Sequence, residues 1–198
     1  MTAMAFGMRS RDHRSMRLGV VGGVVGALAL LLVLAVLASG SSEPRTSPLV
    51  ELADRQEAVT TWEAAVHPLI ESGGQVVALG PRKAIGQLRD GTATPSAMTA
   101  MANGWVRRLS DLRQQLAAVP TPAALRPAHQ LLDAAMSGYV QASRELVAAA
   151  SATGTRREEL LTAAAAAGTA ADKTYDEATA AIAALRSQLH LPTDWSAS

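Results

Sequence analysis

Residues 155–190 read TRREELLTAAAAAGTAADKTYDEATAAIAALRSQLH. Apolar or small residues fall at Leu161, Ala164, Gly168, Ala171, Tyr175, Ala178, Ile182, Leu185 and Leu189, always three or four positions apart. A helix with 3.6 residues per turn puts all of them on one stripe, the seam of a packed bundle helix. Between Leu161 and Tyr175 the seam holds only alanine and glycine. A partner helix is therefore expected to come close there, because interaxial distance follows side-chain size. Thr155 and Glu158 stand at capping-box spacing and predict the helix start; Pro192 predicts its end.

The same alternation extends upstream. Leu125, Ala128, Leu132, Ala135, Tyr139, Ala142, Leu146 and Ala149 form a second seam, closed by the break Ser151–Gly154. Pro127 is expected to delay the start of that helix by a turn. A third seam is Met98, Met101, Trp105, Leu109, Leu112, Leu116 and Val119. Thr94 is its expected N-cap, Pro95 its first helical residue and Pro120 its stop. Thr121-Pro122 repeats that cap-plus-proline start, and so short a connection implies antiparallel neighbours. The earliest stripe begins near Leu49 and runs through Leu52, Val59, Trp62, Val66, Leu69, Gly73 and Val76. Pro68, Gly73-Gly74 and Gly80-Pro81 are its weak points, leaving one bent helix or two before the Asp90-Gly91 turn. Seam positions make Trp62 and Trp105 core anchors. Tyr139 and Tyr175 are expected to carry their hydroxyls to water or a partner at the bundle edge, and Trp195 to fold back onto the bundle.

Composition agrees with an all-α fold. The 198 residues include 41 alanines, and only 3% are aromatic, which favours helix over sheet. The chain has no cysteine, which excludes a disulfide scaffold, a thiolate metal site, a cysteine nucleophile and a lipoprotein anchored through an acylated cysteine. Sixteen arginines stand against two lysines; together with the alanine content, this resembles the composition of anchored proteins from high-G+C bacteria.

A different signal dominates the N-terminus. Leu18–Ala38 is a run of 21 residues without a charge, long enough as a helix to span roughly 31 Å of bilayer. Arg9, Arg11, Arg14 and Arg17 precede it against one acid, Asp12. The positive-inside bias then places residues 1–17 in the cytoplasm and the rest outside. A signal peptide cleaved near Gly40 is the competing reading, although secretory apolar cores are usually shorter. Gly19, Gly22, Gly23 and Gly26 form two overlapping small-xxx-small pairs, a candidate homodimer face. Residues 39–48, rich in serine and proline, read as a linker. The expected organisation is thus a basic tail at 1–17, a transmembrane helix at 18–38 and the linker at 39–48. An extracytoplasmic antiparallel bundle of four helices, or of three, follows at 49–191, with a tail at 192–198.

Chemistry is harder to find. His67 with Glu71, and His129 with Asp133, lie one turn apart and could share a helix face. Two such pairs on facing helices would suit a transition metal, but the Glu-x-x-His signature of di-iron bundles does not occur. His190 and Asp194 have the same spacing, with Pro192 between them. No Gly-x-Ser-x-Gly elbow, Ser-x-x-Lys pair or phosphate-cradling loop is present. The sequence therefore assigns no catalytic, cofactor-binding or metal residue. Outside the arginine-rich tail the chain is mildly acidic, a poor basis for nucleic-acid binding. Two expectations follow: a non-catalytic, membrane-anchored helical module that binds another envelope component, and a ligand- or metal-binding sensor domain.

Overall fold

The computed structural model describes residues 47–193. The basic tail, the apolar run with its four glycines, all but the last two residues of the expected linker, Asp194 and Trp195 lie outside them. Among the described residues no helix is long and apolar enough to cross a membrane.

The described chain is all-helical. Helices α1 (Pro48–Leu79), α2 (Pro81–Arg89), α3 (Pro95–Ala118), α4 (Arg126–Ser151) and α5 (Gly154–Gln188) follow one another, with a 3-10 turn at Ala123–Leu125 before α4. Four are long and α2 is a short insertion, so the antiparallel bundle expected from the four seams is what forms. Helix α1 runs through Pro68 and the glycine pair without interruption. Pro68 is exposed, so the carbonyl that loses its partner there can be solvated. The break comes instead at Gly80-Pro81. A Cβ on Gly80 would lie 2.6 Å from Trp105 Cε2, so only glycine lets the chain pass that indole. Pro81 then opens α2 at a position where no amide is needed.

Several local expectations hold and others are corrected. Thr94 caps α3, its hydroxyl accepting from the Ala97 amide at 3.3 Å. Thr121 caps nothing: its hydroxyl donates to the Val119 carbonyl at 3.0 Å, and α4 starts at Arg126 with Pro127 in its first turn. The Thr155–Glu158 capping box does not form either. Thr153 is the N-cap residue of α5, without a side-chain cap, and Glu158 reaches across to Arg89, 3.0 Å from its Nε. Helix α5 ends at Gln188, before Pro192 acts. His190 takes the left-handed conformation with φ 56°, and the Leu191 amide donates to the Arg186 carbonyl at 2.9 Å. That is a Schellman ending with histidine where glycine is usual.

Most seam positions are buried or half-buried as read; Leu49, at the start of the first stripe, is 71% exposed, and the α3 stripe is shifted. Ala102 is fully buried while Met101 is 42% exposed, so the α3 stripe steps from Met98 by four residues rather than three. Helix α4 is buried on two faces: Met136, Val140, Ser143 and Ala150 join the expected stripe, because α3 and α5 pack on it from different sides. Its interface with α5 is the most extensive in the bundle. There the small-residue seam has its expected effect. A Cβ added to Gly138 would fall 2.8 Å from Ala171 Cβ, closer than two side chains can approach.

The core divides into two clusters along the bundle axis. One gathers Val59, Trp62, Val66, Leu112, Leu116, Leu132 and Ile182 with their neighbours. The other gathers Ala84, Leu88, Met98, Ala102, Leu146, Leu161 and Ala164 with theirs. Beside the first lies a buried ion pair that the seams did not predict. Arg186 Nη1 donates to Glu63 Oε2, with the two side chains 5% and 7% exposed. The same guanidinium gives its Nε to the Pro192 carbonyl. Burial pushes the Glu63 carboxyl above its usual range despite the attraction of Arg186.

The close α4–α5 approach is directly testable. Gly138→Ala is expected to destabilise by about 1–3 kcal/mol, as overpacking does. Gly104→Ala, where a Cβ meets nothing within 4 Å, should stabilise by about 0.5–1 kcal/mol through helix propensity. Chemical denaturation of the two variants checks the opposite signs.

Candidate functional site

Between the two core clusters the bundle is not filled. At that level α1 contributes Gly73 and Gly74, and α4 contributes Ala135, so side-chain volume is missing where the helices face one another. A cavity of about 340 Å³ results. Its wall is mainly apolar: Ile70 and Val77 from α1, Leu109 from α3, Leu132 and Met136 from α4. A Cβ on Gly73 would reach Leu112 Cδ1 and Met136 Cε only at 3.9 Å, and one on Gly74 would meet nothing within 4 Å. The glycine pair is therefore not demanded by close packing. It leaves room.

Four side chains bring polarity to this apolar space: Arg82 from α2, Tyr139 from α4, and Asp172 and Tyr175 from α5. Tyr139 donates to Asp172 Oδ1 at 2.9 Å, and Arg82 Nη2 donates to Oδ2 of the same carboxylate. The Asp172 side chain is 29% exposed and that of Arg82 79%, so the acid sits inside and the base covers it from the solvent side. Burial raises the Tyr139 phenol well above its ordinary value, and its bond to the carboxylate adds to the rise. It stays a hydrogen-bond donor at any physiological pH. Burial also raises Tyr175, with Asp176 contributing. A mostly apolar pocket with a few convergent polar groups is the usual form of a small-molecule site.

The pairs considered from the sequence go elsewhere. His67 is half-buried and Glu71 exposed on α1. His129 Nδ1 lies 3.1 Å from the Thr121 hydroxyl, and its ring sits 6.1 Å from Trp62 at a tilted angle. Asp133 does not share a ligand with it, being held by Arg113 at 2.6 and 2.9 Å. Among the described residues no group of three or more histidines, aspartates and glutamates could hold a metal ion. His190 serves the end of α5. Trp62 is a core anchor, 2% exposed, and Trp105 packs at the edge of the second cluster. Arg82 and Asp172 were not singled out from the sequence, since neither belongs to a motif. Tyr139 and Tyr175 were, as seam tyrosines needing a polar outlet, and they lead to the site.

No protein-family model, curated protein or solved structure matches this chain.

His129 gives the bundle a pH dependence. Burial pushes its imidazole below the ordinary value of 6.5, against the opposing pull of Asp133. The folded state thus binds a proton less readily than the unfolded chain. This contribution to stability falls as pH drops below about 6.5, until the folded-state pKa is passed. Glu63 acts with the opposite sign at lower pH, so the test is a difference measurement. Subtracting the unfolding profile of His129→Gln from that of the parent should leave a curve that declines as pH falls below about 6.5.

Proposed function

We propose that the chain is a single-pass envelope protein, anchored by residues 18–38 with its N-terminus in the cytoplasm. Its extracytoplasmic helical bundle holds a small, mainly apolar ligand and performs no chemistry on it. The observation that carries the ligand-binding reading is the cavity between the core clusters. Its volume is about 340 Å³, more than twice that of an engineered cavity of about 150 Å³ that admits benzene. Glycines that no packing contact requires keep it open. The anchor rests on the uncharged run Leu18–Ala38 and the arginines before it.

The alternative of a module that docks another envelope protein has less behind it. Among the described residues the large apolar side chains left exposed are Leu49 and Met101, on different helices. They make no contiguous apolar face of the kind that marks a docking surface.

The test uses the full-length protein in lipid nanodiscs, screened by thermal unfolding against small apolar and aromatic compounds. A compound present at about a hundred times its Kd should raise the unfolding temperature by about 5–10 °C. Gly74→Leu should obstruct the cavity and weaken or remove that shift while leaving the unliganded protein at least as stable. If no compound stabilises the parent, or if Gly74→Leu responds as the parent does, the cavity is not a binding site. Topology is checked separately by adding protease to intact cells. The bundle should be digested and residues 1–17 protected.

A further inference from the structure

We infer that the cavity selects a cation: a small organic amine whose apolar body fills the space and whose ammonium replaces Arg82 at Asp172. The inference rests on the ligand-binding reading above and adds the charge of the ligand. It starts from how the carboxylate is held.

Asp172 is the inner of the two charged groups on the wall, and Arg82 the outer. Tyr139 fixes one carboxylate oxygen by a bond from inside the bundle. The other oxygen is satisfied only from the solvent side, by a guanidinium that is itself largely exposed. An ion pair with so exposed a partner contributes little, because solvent screens it. Arg82 can therefore leave Asp172 at small cost and be solvated where it stands. The carboxylate cannot leave, being part of α5 and bonded to Tyr139.

What is left when Arg82 swings away is an anion beside two aromatic rings, Tyr139 and Tyr175, over an apolar floor. Aromatic faces attract cations and favour organic ammonium groups in particular. Asp176, one turn along α5 and close enough to act on Tyr175, adds negative potential on the same side. An anionic ligand would meet the reverse: the Asp172 carboxylate beside its charge, and in Arg82 a cation that covers the site from the solvent side. The arrangement suits an ammonium head with an apolar tail.

Three probes matched in shape separate the cases: 3-phenylpropylamine, 3-phenylpropanol and 3-phenylpropionate. They are titrated calorimetrically into the full-length protein in nanodiscs, with empty nanodiscs as the blank. The amine should bind about tenfold more tightly than the alcohol, as a charge-assisted hydrogen bond provides, and the propionate more weakly than either. Asp172→Asn keeps an acceptor for Tyr139 and should bring the amine down to the level of the alcohol. Arg82→Gln removes the competing cation and should leave amine affinity unchanged or higher. Circular dichroism melts confirm that both variants fold. Tightest binding by the propionate, lost in Arg82→Gln, would overturn the cation assignment while leaving the pocket a binding site. Equal binding by all three would do the same. Binding by none of them, with no hit in the thermal screen, removes the pocket reading itself.

Discussion

The approach of α4 to α5 at Gly138 and Ala171 is the constraint on which the remaining packing depends. Two helix backbones can come this close only where neither carries a side chain worth the name, and the run of alanine and glycine on α5 supplies that surface. Dispersion between backbones replaces the interlocking of large side chains. The cost is that such a seam buries little apolar area per residue. Larger residues must supply the hydrophobic stabilisation elsewhere, and they do so at the two ends of the bundle, around Trp62 and Leu132 and around Leu88 and Leu146. The middle, where α1 also turns to glycine, is left without side chains to fill it. The cavity and the close helix pair thus have a common origin in small residues at the same level of the bundle.

Much of this was legible in the sequence because a periodic seam is a physical necessity for a helix with one buried face. Most positions of the stripes on α1, α4 and α5 are buried or half-buried where the three-four spacing puts them, and Gly138 against Ala171 is the close contact that the alanine run predicts. The misses share a cause. Met101 and Ala102 both lie within a turn of Met98 and Trp105, and packing at that turn buries the smaller side chain. The second buried face of α4 was invisible to a search for one stripe per helix. Thr155 has the spacing of a capping residue and is not one, since Glu158 finds Arg89 on another helix, a partner that local sequence cannot reveal.

The candidate site was less legible, for a reason that follows from its nature. A cavity is an absence, and Gly73-Gly74 reads in one dimension as a weak point of a helix rather than as space between several. Its polar groups come from α2, α4 and α5, so that no local pattern unites Arg82, Tyr139 and Asp172. Only the two seam tyrosines gave a sign, because a phenol in a core must send its hydroxyl somewhere. Glu63 and Arg186 illustrate the same limit. Charged residues in an amphipathic helix belong outside by default, and their burial depends on a partner 123 positions away.

Among the described residues α5 makes three long-range ion pairs, and they have a further consequence. Its partners are met at Glu158, Asp172 and Arg186, two heptads apart each time, so all three face the same way. Opposite them stand Arg89, Arg82 and Glu63, in antiparallel order. Read along α5 the signs run minus, minus, plus; along the facing chain they run plus, plus, minus. A smooth surface of methyl groups has little to stop one rod from sliding along another. Were α5 to slide by two heptads, either Arg186 would arrive opposite Arg82 or Asp172 opposite Glu63, and like charges would meet. The buried Glu63–Arg186 pair, which either slide would break, therefore sets an alignment that the alanine seam cannot provide by shape, and the exposed pairs add only the order of signs.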